Sequence, residues 1–122
     1  MLQILSGFPN HVIAVRASGK VLGEEYRSVL NPVDKEKRKT HEKLNLYYQF
    51  GPDYRSIDAS GMWEDTKLDV GHWNGWERIA IVADDAAIRT GAHLAALILR
   101  RPVRVFSNDE ADKARAWVSE DV

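Results

Sequence analysis

The sequence predicts a single α/β domain. It should hold a mixed, mostly parallel β-sheet of about five strands, with about four helices packed mainly on one side. Three observations predict this. Short apolar or alternating segments recur along the chain, at Leu2–Leu5, Val12–Ala17, Leu44–Phe50, Arg78–Ala83 and Val103–Phe106. Stretches of helical periodicity separate all but the first two. The resulting order, β-β-α-β-α-β-α-β-α, alternates after an opening hairpin, which calls for right-handed crossovers and parallel pairing.

The first two strands flank a Gly-Phe-Pro-Asn turn, and Ser18-Gly19-Lys20 is expected to end the second. Leu22, Tyr26, Val29, Leu30 and Val33 then fall on one helical stripe. Pro32 lies inside that stripe and should kink or restart the helix, because its ring blocks one backbone hydrogen bond. Lys35 to Lys43 has no apolar side chain and reads as a solvated helix end and loop. From Leu44, the residues Leu44, Leu46, Tyr48 and Phe50 alternate with polar ones, giving a strand with one strongly apolar face. Gly51-Pro52-Asp53 is expected to stop it.

Asp58-Ala59-Ser60-Gly61 opens a second helix, with Ala59, Met62, Trp63, Thr66, Val70 and Trp73 at steps of three and four. It should end near Gly71 or Gly75. After the strand Arg78–Ala83, Asp84 or Asp85 can cap a third helix, Ala86–Leu99, which Arg100-Arg101-Pro102 closes. Ser107 and Glu110 form a capping box after the last strand, with Ala111, Ala114 and Val118 on the buried face of a final helix.

Composition narrows the function classes. Seventeen basic and eighteen acidic side chains give a net charge of −1, so nothing calls for a nucleic-acid partner. With no cysteine, disulfides, thiol catalysis and thiolate metal sites are excluded. His11, His41, His72 and His93 show no paired metal spacing, and no glycine-rich nucleotide loop is present. No catalytic residue, metal or cofactor is therefore expected. No leader peptide or spanning helix is read from the sequence, and the expected location is cytoplasmic.

The ordered set of motifs resembles the SpoIIAA-like family, small relatives of STAS domains. The set comprises Leu44-Asn45-Leu46-Tyr47-Tyr48-Gln49-Phe50, Gly51-Pro52-Asp53-Tyr54, the Asp58-Ala59-Ser60-Gly61 helix start and Trp63-Glu64-Asp65. It continues through Glu77–Asp84, Val103–Phe106 and Ala114–Trp117, nearly the whole chain. The resemblance implies an α/β sandwich and no single activity. In anti-sigma-factor antagonists of this kind, the second serine of Asp-Ser-Ser-Gly is phosphorylated, and Ser60 falls on that position. Other relatives resemble the CRAL-TRIO lipid-binding fold, which implies an apolar pocket and contact with a membrane surface.

Two readings of Ser60 follow. It is a phospho-acceptor that switches partner binding, or a helix-start hydroxyl whose capping contributes about 1 kcal/mol. Glu64 and Asp65 would repel a nearby phosphate and favour the cap. The aromatic group Trp63, Trp73 and Trp76, with Met62 and Val70, can line an apolar cavity or lie at a membrane interface. Trp63 and Trp73 also fit the buried stripe, whereas Trp76, in a turn before its strand, is the more diagnostic ring.

The third helix places Ile88, Gly91, Ala92, Ala95 and Leu99 on a small-residue face suited to close packing. Leu94, Leu97 and Ile98 lie around the other side, so the C-terminal half is apolar nearly all round. That second face is either covered by a neighbouring helix, or it meets a ligand, a lipid surface or another subunit. Arg100 and Arg101 are placed to reach lipid phosphates or to favour the helix terminus.

The leading expectation is a non-enzymatic domain that binds an apolar or amphipathic ligand, or touches the inner face of a membrane. Met62, Trp63, Trp73, Trp76, Leu94, Leu97 and Ile98 would make the contact. A protein partner or homodimer is a further expectation. The alternative is a phosphorylation-switched interaction module acting through Ser60. An enzyme would need a polar cleft gathering Asp84, Tyr47 or His72.

Overall fold

A computed structural model of the chain describes residues 1–40, 43–58, 76–99 and 102–120. The expected second helix, with Ser60, Met62, Trp63 and Trp73, lies outside the described residues, as do His41, His72, Arg100 and Arg101. Five strands form one sheet in the order β1-β2-β3-β4-β5: Leu2–Ile4, Val12–Leu22, Leu44–Asp58, Trp76–Val82 and Val103–Phe106. β1 pairs antiparallel with β2, and every later pair is parallel.

Among the described residues, three helical segments pack on this sheet. The first, α1, runs through Gly23–Glu25, a π-helical stretch Tyr26–Leu30, and Asn31–Arg38. Pro32 stands in the first turn of its last part, where a missing N–H costs nothing. The expected restart is thus a π-turn followed by a fresh helix start. The second, α2, is Ala86–Leu99 and packs on β5. The third, α3, is Ala111–Ser119, entered through a 3₁₀ turn at Asn108–Glu110. The capping box is present, with Ser107 N–H donating to Glu110 Oε1 at 3.2 Å.

The sheet is covered on both faces. Ile13, Val15, Ala17 and Val21 of β2 pack with Leu44, Tyr48 and Ile79 on the first face, against Leu30 and Val33 of α1. Val12, Ala14, Tyr47, Ala80, Val82 and Phe106 form the second face with Ala114 and Val118 of α3. Among the described helices, α1 packs on the first face, α3 on the second, and α2 against β5.

Two expected strand ends are corrected. β2 continues through Gly19 to Leu22, and β3 continues through Gly51-Pro52-Asp53 to Asp58. The register explains why. Ala17 pairs with Phe50 and Gly19 with Tyr54, so Ser18 faces the three residues Gly51, Pro52 and Asp53. Gly51-Pro52-Asp53 thus falls in a bulge against Ser18, where proline has no ladder bond to lose. Gly19 adopts a φ of +55°, which a side chain disfavours. Gly51 leaves room for Arg16, whose guanidinium meets Asp53 Oδ1 at 3.3 Å.

Candidate functional site

The geometry of α2 begins at its cap. Asp85 Oδ1 accepts the N–H groups of Ala87 at 2.9 Å and Ile88 at 3.1 Å, so Asp85 and not Asp84 starts the helix. Arg89 reaches back and donates to Ala83 O at 2.8 Å. Ile88, Arg89, Ala92 and Ala96 are half-buried, whereas Ala86, Ala87, Thr90, Gly91, His93, Leu94 and Leu97 are exposed. At about 100° per residue the exposed set occupies one continuous arc. It holds no Asp, Glu, Lys or Arg.

Leu94 is 57% exposed and Leu97 77% exposed. Among the described side chains of α2, none is fully buried. The expected close-packing face is corrected at one position: Gly91 points outward, and a Cβ there would meet nothing within 4 Å. The side chains of Ala95, Ile98 and Leu99 lie outside the described residues.

Trp76 is the second correction. It is the first residue of β4 and only 8% exposed, packed in the first-face core. Its ladder partner is Leu44, yet Leu46 pairs with Ile79, so β4 carries one extra residue between them. That bulge turns Trp76 and Ile79 to the same face. The strand also starts two residues earlier than expected, which removes Trp76 from the turn where its ring would have been an exposed contact.

The bulge expels Arg78 N–H from the ladder, and Asn45 Oδ1 accepts it at 3.0 Å. Asn45 is 2% exposed and its amide donates to Val118 O at 2.8 Å, tying α3 to β3. Beyond this tie the Arg78 guanidinium bonds Trp117 O and Glu120. The guanidinium groups of Arg78 and Arg104 both approach the Trp117 ring, at 5.2 and 5.3 Å from its centre.

Just past the C-terminal ends of β4 and β5, level with the middle of β3, polar groups gather. Tyr47 OH donates to Gln49 Oε1 at 3.1 Å, and Gln49 Nε2 donates to Asn108 Oδ1 at 3.1 Å. Asn108 Nδ2 donates to Phe50 O and to Asp84 Oδ2, each at 3.0 Å, while its N–H reaches Asp84 Oδ1 at 2.9 Å. Tyr47 and Asp84 are thus joined, through two residues that the sequence reading did not single out.

The chemistry of this knot is that of a tie. The Asn108 carbonyl and amide are both engaged, and Asp84 has an oxygen on each of two Asn108 donors. Those bonds hold the Asp84 carboxyl below its ordinary value, the backbone N–H of Asn108 first and its side-chain amide second. Burial pushes the Tyr47 hydroxyl up, against the weaker pull of Arg115 and Arg16. At neutral pH it is a committed donor. The knot joins β3, β4 and the entry to α3. Among the described residues, no group of three or more His, Asp or Glu side chains is placed to hold a metal ion. Nor is any helix among them long and apolar enough to cross a membrane.

Among the described residues, four parallel strands in sequential order, an antiparallel edge strand and three helices define a small mixed α/β domain. A family model described as SpoIIAA-like matches residues 12–119, and the chain belongs to that family. Among solved structures it is similar to an uncharacterized protein of the DUF3478 family with a SpoIIAA-like fold from Shewanella loihica PV-4. The TM-score is 0.73 at 18% identity, over 97% of this chain and 92% of that one. At that identity the likeness establishes the fold. No curated protein matches the chain.

Proposed function

We propose that this chain is a non-enzymatic SpoIIAA-like domain that takes up acyl chains on the outer face of α2, either from a free amphipathic ligand or at a membrane surface. The observation that carries the reading is the pair Leu94 and Leu97, 57% and 77% exposed on a helix face without a charged side chain. Surface helices of soluble domains ordinarily keep that face polar. Met62, Trp63, Trp73 and Ile98 extend the proposed contact by their sequence positions, and lipid binding of the CRAL-TRIO kind belongs to the same proposal.

The magnitudes set the expected strength. Burying a leucine side chain contributes about 1.5–3 kcal/mol, so two leucines give a reversible, peripheral contact. Co-sedimentation with mixed phosphatidylcholine and phosphatidylglycerol vesicles tests it. The wild-type chain should pellet with vesicles, and a Leu94→Asp, Leu97→Asp variant should stay in the supernatant while keeping its circular dichroism spectrum. Equal behaviour of the two proteins, together with no lipid in native mass spectra of the purified chain, would remove the proposal.

A further inference from the structure

Among the described residues the sheet ends at β5, and the backbone of that strand is half used. Ile79 N–H donates to Pro102 O at 2.9 Å and Ala83 N–H to Phe106 O at 2.8 Å. The carbonyls of Pro102 and Phe106 therefore face β4, as does the backbone of Arg104 between them. Strand alternation turns the N–H and C=O groups of Val103 and Val105 the other way. Among the described residues neither has a hydrogen-bond partner on that side. An open edge of this kind is a template for one more strand.

Charge says which strand. Arg104 is exposed on this edge and lies 5.2 Å from the centre of the Phe106 ring and 5.3 Å from that of Trp117. Among the described residues no carboxylate pairs with it. Arg78, which also lies over the Trp117 ring, is paired with Glu120 at 2.6 Å. A second copy of β5 fits poorly. The antiparallel register that uses both Val103 and Val105 centres on Arg104 and sets two guanidinium groups opposite each other, a repulsive cross-strand pair. Shifting the centre to Val105 brings in Ser107, whose N–H is already taken by Glu110.

We infer that the β5 edge accepts an extended acidic peptide segment as a sixth strand, its backbone paired with Val103 and Val105 and its carboxylate opposite Arg104. This surface is distinct from the outer face of α2, and the inference stands whether or not that face binds acyl chains.

Titration of ¹⁵N-labelled protein with two serine-flanked peptides of alternating valine and threonine tests it, one carrying a central glutamate and the other a central lysine. The glutamate peptide should shift the Val103 and Val105 amide resonances and slow their exchange, and the lysine peptide should bind at least about fivefold more weakly. Val105→Pro removes an N–H that points away from β4, so it should leave the fold intact and weaken the glutamate peptide by about fivefold or more. Arg104→Glu should reverse the preference between the peptides. Equal affinity for both, or no change at Val103 and Val105, would overturn the inference. So would a dimer in sedimentation velocity without peptide that Val105→Pro dissolves, since that assigns the edge to a second copy.

Discussion

The side-chain amide of Asn45 donates to Val118 O near the end of α3, while its carbonyl takes the Arg78 N–H freed by the β4 bulge. Replacing it with leucine preserves much of the volume and strands both groups in the interior. An unpaired buried donor or acceptor costs about 1–3 kcal/mol. Asn45→Leu should therefore lower the unfolding free energy by about 2–4 kcal/mol, seen as a lower urea midpoint at unchanged slope. An unchanged midpoint would show that Asn45 is not a tie. The role was not legible in the sequence. In an alternating strand an asparagine between leucines reads as solvent-facing, because the pattern cannot show that α3 covers the second face. Asn108 was hidden for a related reason. Its partners Gln49, Phe50 and Asp84 are far from it along the chain, and only the fold brings them within reach.

At the scale of elements, local signals were right about existence and wrong about length. The five strands and the helix Ala86–Leu99 are all where periodicity placed them. Ser18-Gly19-Lys20 and Gly51-Pro52-Asp53 each read as a stop, yet the register sets Ser18 against Gly51-Pro52-Asp53 and pairs Gly19 with Tyr54, so an irregularity in the ladder interrupts neither strand. A chain read one segment at a time cannot show that pairing. α2 supplies two predictions that follow from its surroundings. Gly91 sits mid-helix with open space beyond its Cα, so Gly91→Ala should stabilise the helix by up to about 1 kcal/mol. Asp85→Ala removes the acceptor of two end N–H groups and should cost about 1 kcal/mol. Thermal unfolding reads both, and opposite signs are expected. The same helix has no fully buried side chain among those described, while Val15, Val21, Ala80 and Val82 in the sheet are wholly enclosed. Native-state hydrogen exchange should accordingly be fast in α2 and slowest in β2 and β4.

For the whole molecule, three carboxyls hold junctions between elements, Glu25 and Asp84 across long stretches of chain and Glu110 within one turn, and their titration contributes to its response to acid. Glu25 is opposed by burial, but the N–H groups of Leu22 and Leu2 together with the Met1 ammonium hold it below its ordinary value. Asp84 is lowered by Asn108, and Glu110 by the Ser107 hydroxyl and then its N–H. They tie β1 to α1, β4 to the entry of α3, and β5 to α3. A depressed folded value means that the unfolded chain binds more protons in the interval between the two values, so stability rises with pH there. The contribution is complete above the ordinary values of 3.8 and 4.5 and is lost as pH falls through the lowered ones. Urea unfolding of the wild-type chain should thus be nearly flat from neutral pH down to about pH 5 and fall steeply below about pH 4. A Glu25→Gln, Asp84→Asn, Glu110→Gln variant keeps an acceptor at each position and loses the proton uptake. It should be less stable at pH 7 and show a shallower acid slope, the two curves converging as the pH drops. A parallel fall in both would place the acid sensitivity elsewhere in the molecule.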